Sequence, residues 1–135
     1  ESGKGAFLNG EKLPIKTRSP DSLKHAMAGV DLKRLKPTLA AALAAHPPYS
    51  SQRNFGSSAL DWCYVAAGRL DIYIHGGQKL WDYAAGALIL EEAGGALCTL
   101  DHDDFWATEP WQRSVICASN PAIFRQWRDW IRANQ

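Results

Sequence analysis

Between Ser57 and Gly95 the hydrophobic period of the chain changes twice, and this limits the possible folds. "SSALDWCYVAAG" has helical spacing, with Ser58 and Asp61 arranged like a capping box and Gly68 as a natural stop. "RLDIYIHGG" places Leu70, Ile72 and Ile74 at every second position, the period of a strand. "LWDYAAGALILEEAGG" returns to helical spacing from about Trp81 to Ala93, ended by Gly94-Gly95. Helix, strand and helix in immediate succession argue for an α/β layered fold.

The flanking segments continue the alternation. Asn9-Gly10 is a turn signal between Phe7/Leu8 and Leu13/Ile15, which predicts a hairpin. "SLKHAMAGVD" is ambiguous, although Gly29 and Val30 fit a short strand entering a loop. "LKRLKPTLAAALAAH" has apolar residues at 32, 35, 39 and 43 and reads as a helix, closed by His46-Pro47-Pro48. "YSSQRNFG", "ALCTLD" and "SVICAS" read as strands, and Asn120-Pro121 is an N-cap followed by proline at N1. The last helix should present Ile123, Trp127, Trp130 and Ile131 on one face. "DHDDFWATEPWQ" reads as a surface loop.

Composition excludes several function classes. Fifteen basic against fourteen acidic side chains leave a formal charge of +1, which makes no case for a nucleic-acid or membrane partner. No apolar run approaches the roughly 20 residues of a membrane span. Cys63, Cys98 and Cys117 lie far apart in apolar runs without a CxxC or Cys/His cluster. They predict buried thiols in a reducing, cytoplasmic setting and argue against structural zinc. The opening "ESGKGAFLNGEKLP" lacks an initiator Met and reads as the interior of a longer protein.

Four residues carry candidate chemistry. Asp82, at the start of a helix, either caps the backbone amides or supplies a hard oxygen ligand to Mg²⁺. Ser57 and Ser58 follow Gly56 at a helix start, where exposed amides hold anions or substrate hydroxyls; the alternative is ordinary capping. His75 ends a strand just before Gly76-Gly77, a place where α/β proteins meet ligands or where a histidine is merely solvated. Asp101, His102, Asp103 and Asp104 read as a solvated turn. Lys33, Arg34 and Lys36 read as the wet face of a helix, as do Arg125, Arg128 and Arg132 in the last one.

Taken in order, the motifs resemble the inositol monophosphatase family. "LWDYAAGALILEEAGG" is similar to that family's W-D-x-A-A-G, apolar helix and E-A-G-G signature. "GKGAFLNGEKL" resembles its G-x-G-A-F-x-N-G segment, "RNFGSSALDWCYVAAGRLDIYI" its G-[ST] helix and following strand, and "SVICASNPAIF" its closing strand and helix. The resemblance implies an α/β fold, the C-terminal part of an αβαβα layered sandwich (inositol-monophosphatase/fructose-bisphosphatase-like), its mixed sheet flanked by helices. Residues 1–18 would be a remnant hairpin of the N-terminal layer and 19–135 the C-terminal α/β domain. It also implies a Mg²⁺-dependent, lithium-sensitive phosphomonoesterase, with Asp82 as a metal ligand and Ser57 and Ser58 lining the substrate pocket.

Two departures qualify what the resemblance implies. The family's G-[DE]-E-x-[ST] and D-P-[IL]-D-G-T segments, which bring its other ligands, do not occur in these 135 residues. One carboxylate does not assemble a multi-metal centre, so the chain alone is expected to be inactive. In inositol-selective members a glutamate stands seven residues before the W-D aspartate; that position is His75. An imidazole cannot accept from two hydroxyls as a carboxylate does, which turns the expectation from inositol towards another sugar phosphate or a nucleotide-derived phosphate. The sequence therefore reads as the C-terminal fragment of a phosphomonoesterase acting on a small phosphate ester. The alternative is a non-catalytic binding or structural module that reuses this half-fold. A salt-sensitive nucleic-acid contact through Lys33, Arg34 and Lys36 is a weaker third. A face freed from a missing layer, rich in Trp and Leu, predicts a homodimer or higher oligomer.

Overall fold

The computed structural model describes residues 1–13, 20–107 and 109–135. Asn9 and Gly10 both take positive φ, 50° and 82°, and close a two-residue turn between β1 (Phe7–Leu8) and β2 (Glu11–Lys12). The expected hairpin thus forms, while its extension to Ile15 and the domain boundary at residue 18 lie outside the described residues. Ala6 and Leu13 flank the turn and bury against the helix layer described below.

Five further strands build the main sheet: β3 (Met27–Asp31), β4 (Ser51–Arg53), β5 (Ile72–Lys79), β6 (Ala96–Cys98) and β7 (Gln112–Ala118). Their spatial order is β4-β3-β5-β7-β6. β3 pairs in parallel with β4 and β5, whereas β7 pairs antiparallel with β5 and β6, so the sheet is mixed. Among the described residues four α-helices cover it: α1 (Pro37–Ala45), α2 (Ser58–Ala66), α3 (Leu80–Glu92) and α4 (Pro121–Ala133).

Strand alternation assigns the helices to two faces. Val30, Ile72, Ile74 and Ile116 point to one side and bury with Leu39 and Leu43 of α1 and Ile123, Trp127 and Ile131 of α4. Tyr73, Val115 and Cys117, one residue out of phase, bury on the other side with Trp62 and Val65 of α2 and Tyr83 and Leu90 of α3. The result is a helix–sheet–helix sandwich with a core on each face, the α/β layered class expected from the pattern, with the mixed sheet that the resemblance implies. Trp62 and Tyr83, with no exposed surface, meet Phe105 edge-on.

Three local expectations are corrected. α1 begins at Pro37, because a residue before proline is driven out of the helical region; Lys36 is extended at φ −59° and ψ 143°. Lys33 and Arg34 consequently sit in a loop instead of on a wet helix face. Ser58 is already inside α2: Ser57 is the N-cap, and it makes no side-chain cap bond. Cys98 and Cys117 are buried as expected, but Cys63 is exposed, on the side of α2 that faces the hairpin across an apolar groove with Leu60 and Tyr64. Burial pushes the Cys98 thiol up to about 11. The Asn120 cap is as expected, its side-chain oxygen accepting from the Ile123 amide at 2.9 Å.

Candidate active site

The cleft forms where β3 and β5 end beside the starts of α2 and α3. In a parallel sheet the C-terminal strand ends are where loops converge on ligands. Asp31 closes β3, His75 lies directly opposite it in register on β5, Gly56 and Ser58 open α2, and Asp82 lies in the first turn of α3. With Lys33 and Arg34 they line a cleft of about 200 Å³. Asp82, Ser58 and His75, three of the four candidates picked from the sequence, therefore converge, although they are up to 24 residues apart (82 − 58). Ser57 is next to the cleft as the N-cap of α2 and is not among the lining residues.

A bulge shapes the wall. The register of β5 against β7 shifts between His75 and Gln78, which frees Gly76 and Gly77 from regular pairing. A Cβ at Gly76 would lie 2.3 Å from the carbonyl carbon and oxygen of Arg34, so only glycine admits the loop this close. Arg34 then donates from Nη1 to the Gly77 carbonyl at 2.7 Å and fastens the loop after β3 onto the bulge.

The bulge also fixes His75. The Gly77 amide donates to His75 Nδ1 at 3.0 Å, which leaves the ring proton on Nε2. Nε2 faces Asp31 Oδ2 at 3.4 Å. Burial pushes the His75 pKa below its ordinary value; Asp31 opposes this and Arg34 adds to it. The imidazole is therefore neutral at pH 7. Asp31 Oδ1 accepts from the Lys33 amide at 3.0 Å.

Asp82 performs the capping role that the sequence allowed. Its Oδ2 accepts from the Lys79 amide at 3.1 Å, and its carboxylate complements the amino end of α3. Beneath Ser58 a buried chain runs inward. The Trp62 indole N–H donates to Gln78 Oε1 at 2.8 Å, and Gln78 Nε2 donates to the Tyr73 hydroxyl at 2.8 Å. Tyr73, Asp61 and Ser58 are near enough to influence one another electrostatically. Asp61 is 6 % exposed, and burial raises its pKa from 3.8 to about 6.

A magnesium centre needs several oxygen donors. Among the described residues no group of three or more His, Cys, Asp or Glu side chains is arranged to hold a metal ion. Asp82 is partly committed to its helix and Asp31 to His75 and the Lys33 amide, so these residues alone do not fit a complete metal site. Asp31, Lys33 and Arg34 were not singled out as cleft residues from the sequence. The available signal was an acid at the carboxyl end of a strand, in "GVD".

The sandwich with its cleft at the W-D helix has the layered α/β architecture that the resemblance implies. The profile of the inositol monophosphatase family matches residues 1–131, and the chain belongs to that family. It is 37% identical over 129 residues to inositol monophosphatase 1 of Solanum lycopersicum, covering 90% of this chain and 45% of that protein. It is 39% identical over 102 residues to the Nus factor SuhB of Haemophilus influenzae, covering 73% of this chain and 38% of the relative. The native crystal structure of the extragenic suppressor protein suhB of Bartonella henselae superposes with a TM-score of 0.79 at 27% identity, over 98% of this chain and 51% of the other. The chain spans about half the length of the first curated relatives it matches. Among the described residues, no helix is long and apolar enough to cross a membrane.

Proposed function

We propose that these residues form the leaving-group half of a Mg²⁺-dependent phosphomonoesterase acting on a small sugar, inositol or nucleotide-derived phosphate. The convergence of Asp82, Ser58 and His75 in one cleft carries this reading. Asp82 is this half's contribution to the metal site, while Ser57, Ser58 and His75 shape the side that receives the alcohol. A bound Mg²⁺ lowers the pKa of water and neutralises charge on the phosphate. The remaining ligands would have to come from acidic segments of the family's kind outside these residues, so the 135 residues alone should not turn over substrate. Unpaired, buried Cys98 and Cys117 support a reducing, cytoplasmic setting.

A second reading is a non-catalytic binding module that reuses this half-fold. The name of the Haemophilus relative, a Nus factor, agrees with such a role. Phosphate release across a panel of sugar and nucleotide phosphates separates the two. A longer protein containing both acidic segments and this chain should release phosphate only with Mg²⁺, and Asp82→Asn should reduce the rate at least a hundredfold. No Mg²⁺-dependent release from that protein would sink the phosphatase reading in favour of the binding module.

A further inference from the structure

The histidine at position 75 looks at first like the loss of a substrate-binding carboxylate. In the fold, a carboxylate is restored from the neighbouring strand. Asp31 and His75 are register partners across the parallel β3–β5 pair, so their side chains leave the sheet on the same face, side by side. Both line the same cleft. Nδ1 of His75 accepts from the Gly77 amide, and Nε2 faces Asp31 Oδ2 at 3.4 Å. A neutral imidazole with Nδ1 engaged keeps one N–H and has no acceptor left for a substrate hydroxyl. A carboxylate is different: its two oxygens provide about four acceptor positions. Asp31 spends one on the Lys33 amide, and its other oxygen stands 3.4 Å from His75 Nε2, which leaves acceptor capacity on both oxygens.

We propose that Asp31 is a specificity-determining residue on the leaving-group side, accepting hydrogen bonds from substrate hydroxyls, with His75 as its positioning residue. The inference rests on the phosphomonoesterase reading above and deepens it: the leaving group is a polyol. The site is preorganised for this role. Arg34 fastens the loop after β3 to the Gly77 carbonyl at 2.7 Å, and the glycine at 76 lets that loop seat against the bulge. Asp31 is thus fixed by its strand, by the loop amide and by His75 before substrate arrives. A hydroxyl-bearing leaving group gains charge-assisted bonds there, whereas one without hydroxyls desolvates the carboxylate for nothing in return.

The test compares inositol 1-phosphate with methyl phosphate, which carries no hydroxyl, in the full-length protein that contains this chain. Binding of each is measured by calorimetry in wild type, Asp31→Asn and His75→Gln. Wild type should prefer inositol 1-phosphate, and Asp31→Asn should weaken its binding on the order of tenfold while leaving methyl phosphate within about twofold. His75→Gln should fall between, since it loosens Asp31 without removing it. A double variant, Asp31→Asn with His75→Glu, returns a carboxylate to β5 and should recover the preference; Asp31→Ser, smaller than the side chain it replaces, gives the same comparison if Asp31→Asn does not fold. Equal weakening of both ligands, an unchanged preference in Asp31→Asn, or a wild type without the preference would overturn the proposal. Turnover is scored separately: if the wild type and Asp31→Asn bind as expected but the wild type releases no phosphate, the phosphatase reading is sunk and the Asp31 assignment stands.

Discussion

Replacing Asp61 with Asn should change how stability depends on pH, by an amount the structure supplies. Asp61 lies in the core beneath Ser58, 6 % exposed, near the Tyr73 hydroxyl and with Oδ1 lacking a hydrogen bond. Burial raises its pKa from an ordinary 3.8 to about 6. A carboxyl whose folded pKa exceeds its unfolded one binds more protons in the fold. Its stabilising contribution is therefore complete below the unfolded value and is lost as pH rises through about 6. Two units at 1.36 kcal/mol each correspond to about 3 kcal/mol over the whole transition. Asn cannot ionise, so any fixed penalty of its amide is the same at every pH. The stability difference, Asp61→Asn minus wild type, should rise by about 2–3 kcal/mol between pH 4 and pH 8. Urea titrations followed by tryptophan fluorescence at a series of pH values measure it, with six tryptophans as reporters. Parallel profiles for the two proteins would refute the assignment of a buried, raised carboxyl at Asp61.

Two other outcomes follow from packing. A Cβ at Gly86 would come within 2.4–2.7 Å of three Trp62 atoms, and Trp62 has no exposed surface into which to retreat. Gly86→Ala should lower stability by about 1–3 kcal/mol in chemical denaturation despite alanine's better helix propensity; an unchanged midpoint would contradict this contact. Phe7, Leu60, Trp81 and Trp111 expose 59%, 46%, 77% and 66% of their surface. The 135-residue chain should therefore self-associate in light scattering, and a clean monomer at tens of micromolar would exclude this.

Much of the fold was legible because its signals are local. Asn9-Gly10, Gly68, Gly94 and Asn120-Pro121 mark turns and helix ends by backbone chemistry that needs no tertiary partner. The alternation in "DIYI" likewise sends Ile72 and Ile74 to one core and Tyr73 to the other. The cleft was legible in part: Asp82 and Ser58 stood out at helix starts and His75 at an expected strand end, although β5 runs on through the bulge to Lys79. Asp31 and Arg34 did not, since their importance depends on parallel pairing between segments more than forty residues apart (75 − 31 = 44). Lys33 and Arg34 were assigned to a helix because the leucine spacing from 32 to 43 runs through Pro37 without a break. The restriction proline places on Lys36 outweighed that spacing. The exposure of Cys63 was equally hidden, because a thiol within an apolar run gives no sign of which way its helix is turned.

The register that sets Asp31 beside His75 also changes how sequence variation at this cleft should be interpreted. Adjacent strands here act like the two rails of a ladder, and the chemical unit is the rung. A carboxylate moved from one rail to the other leaves the rung's composition nearly unchanged, yet a column-by-column comparison scores it as two unrelated substitutions. Residues 31 and 75 should therefore covary, and substrate preference should follow the pair better than it follows either position alone.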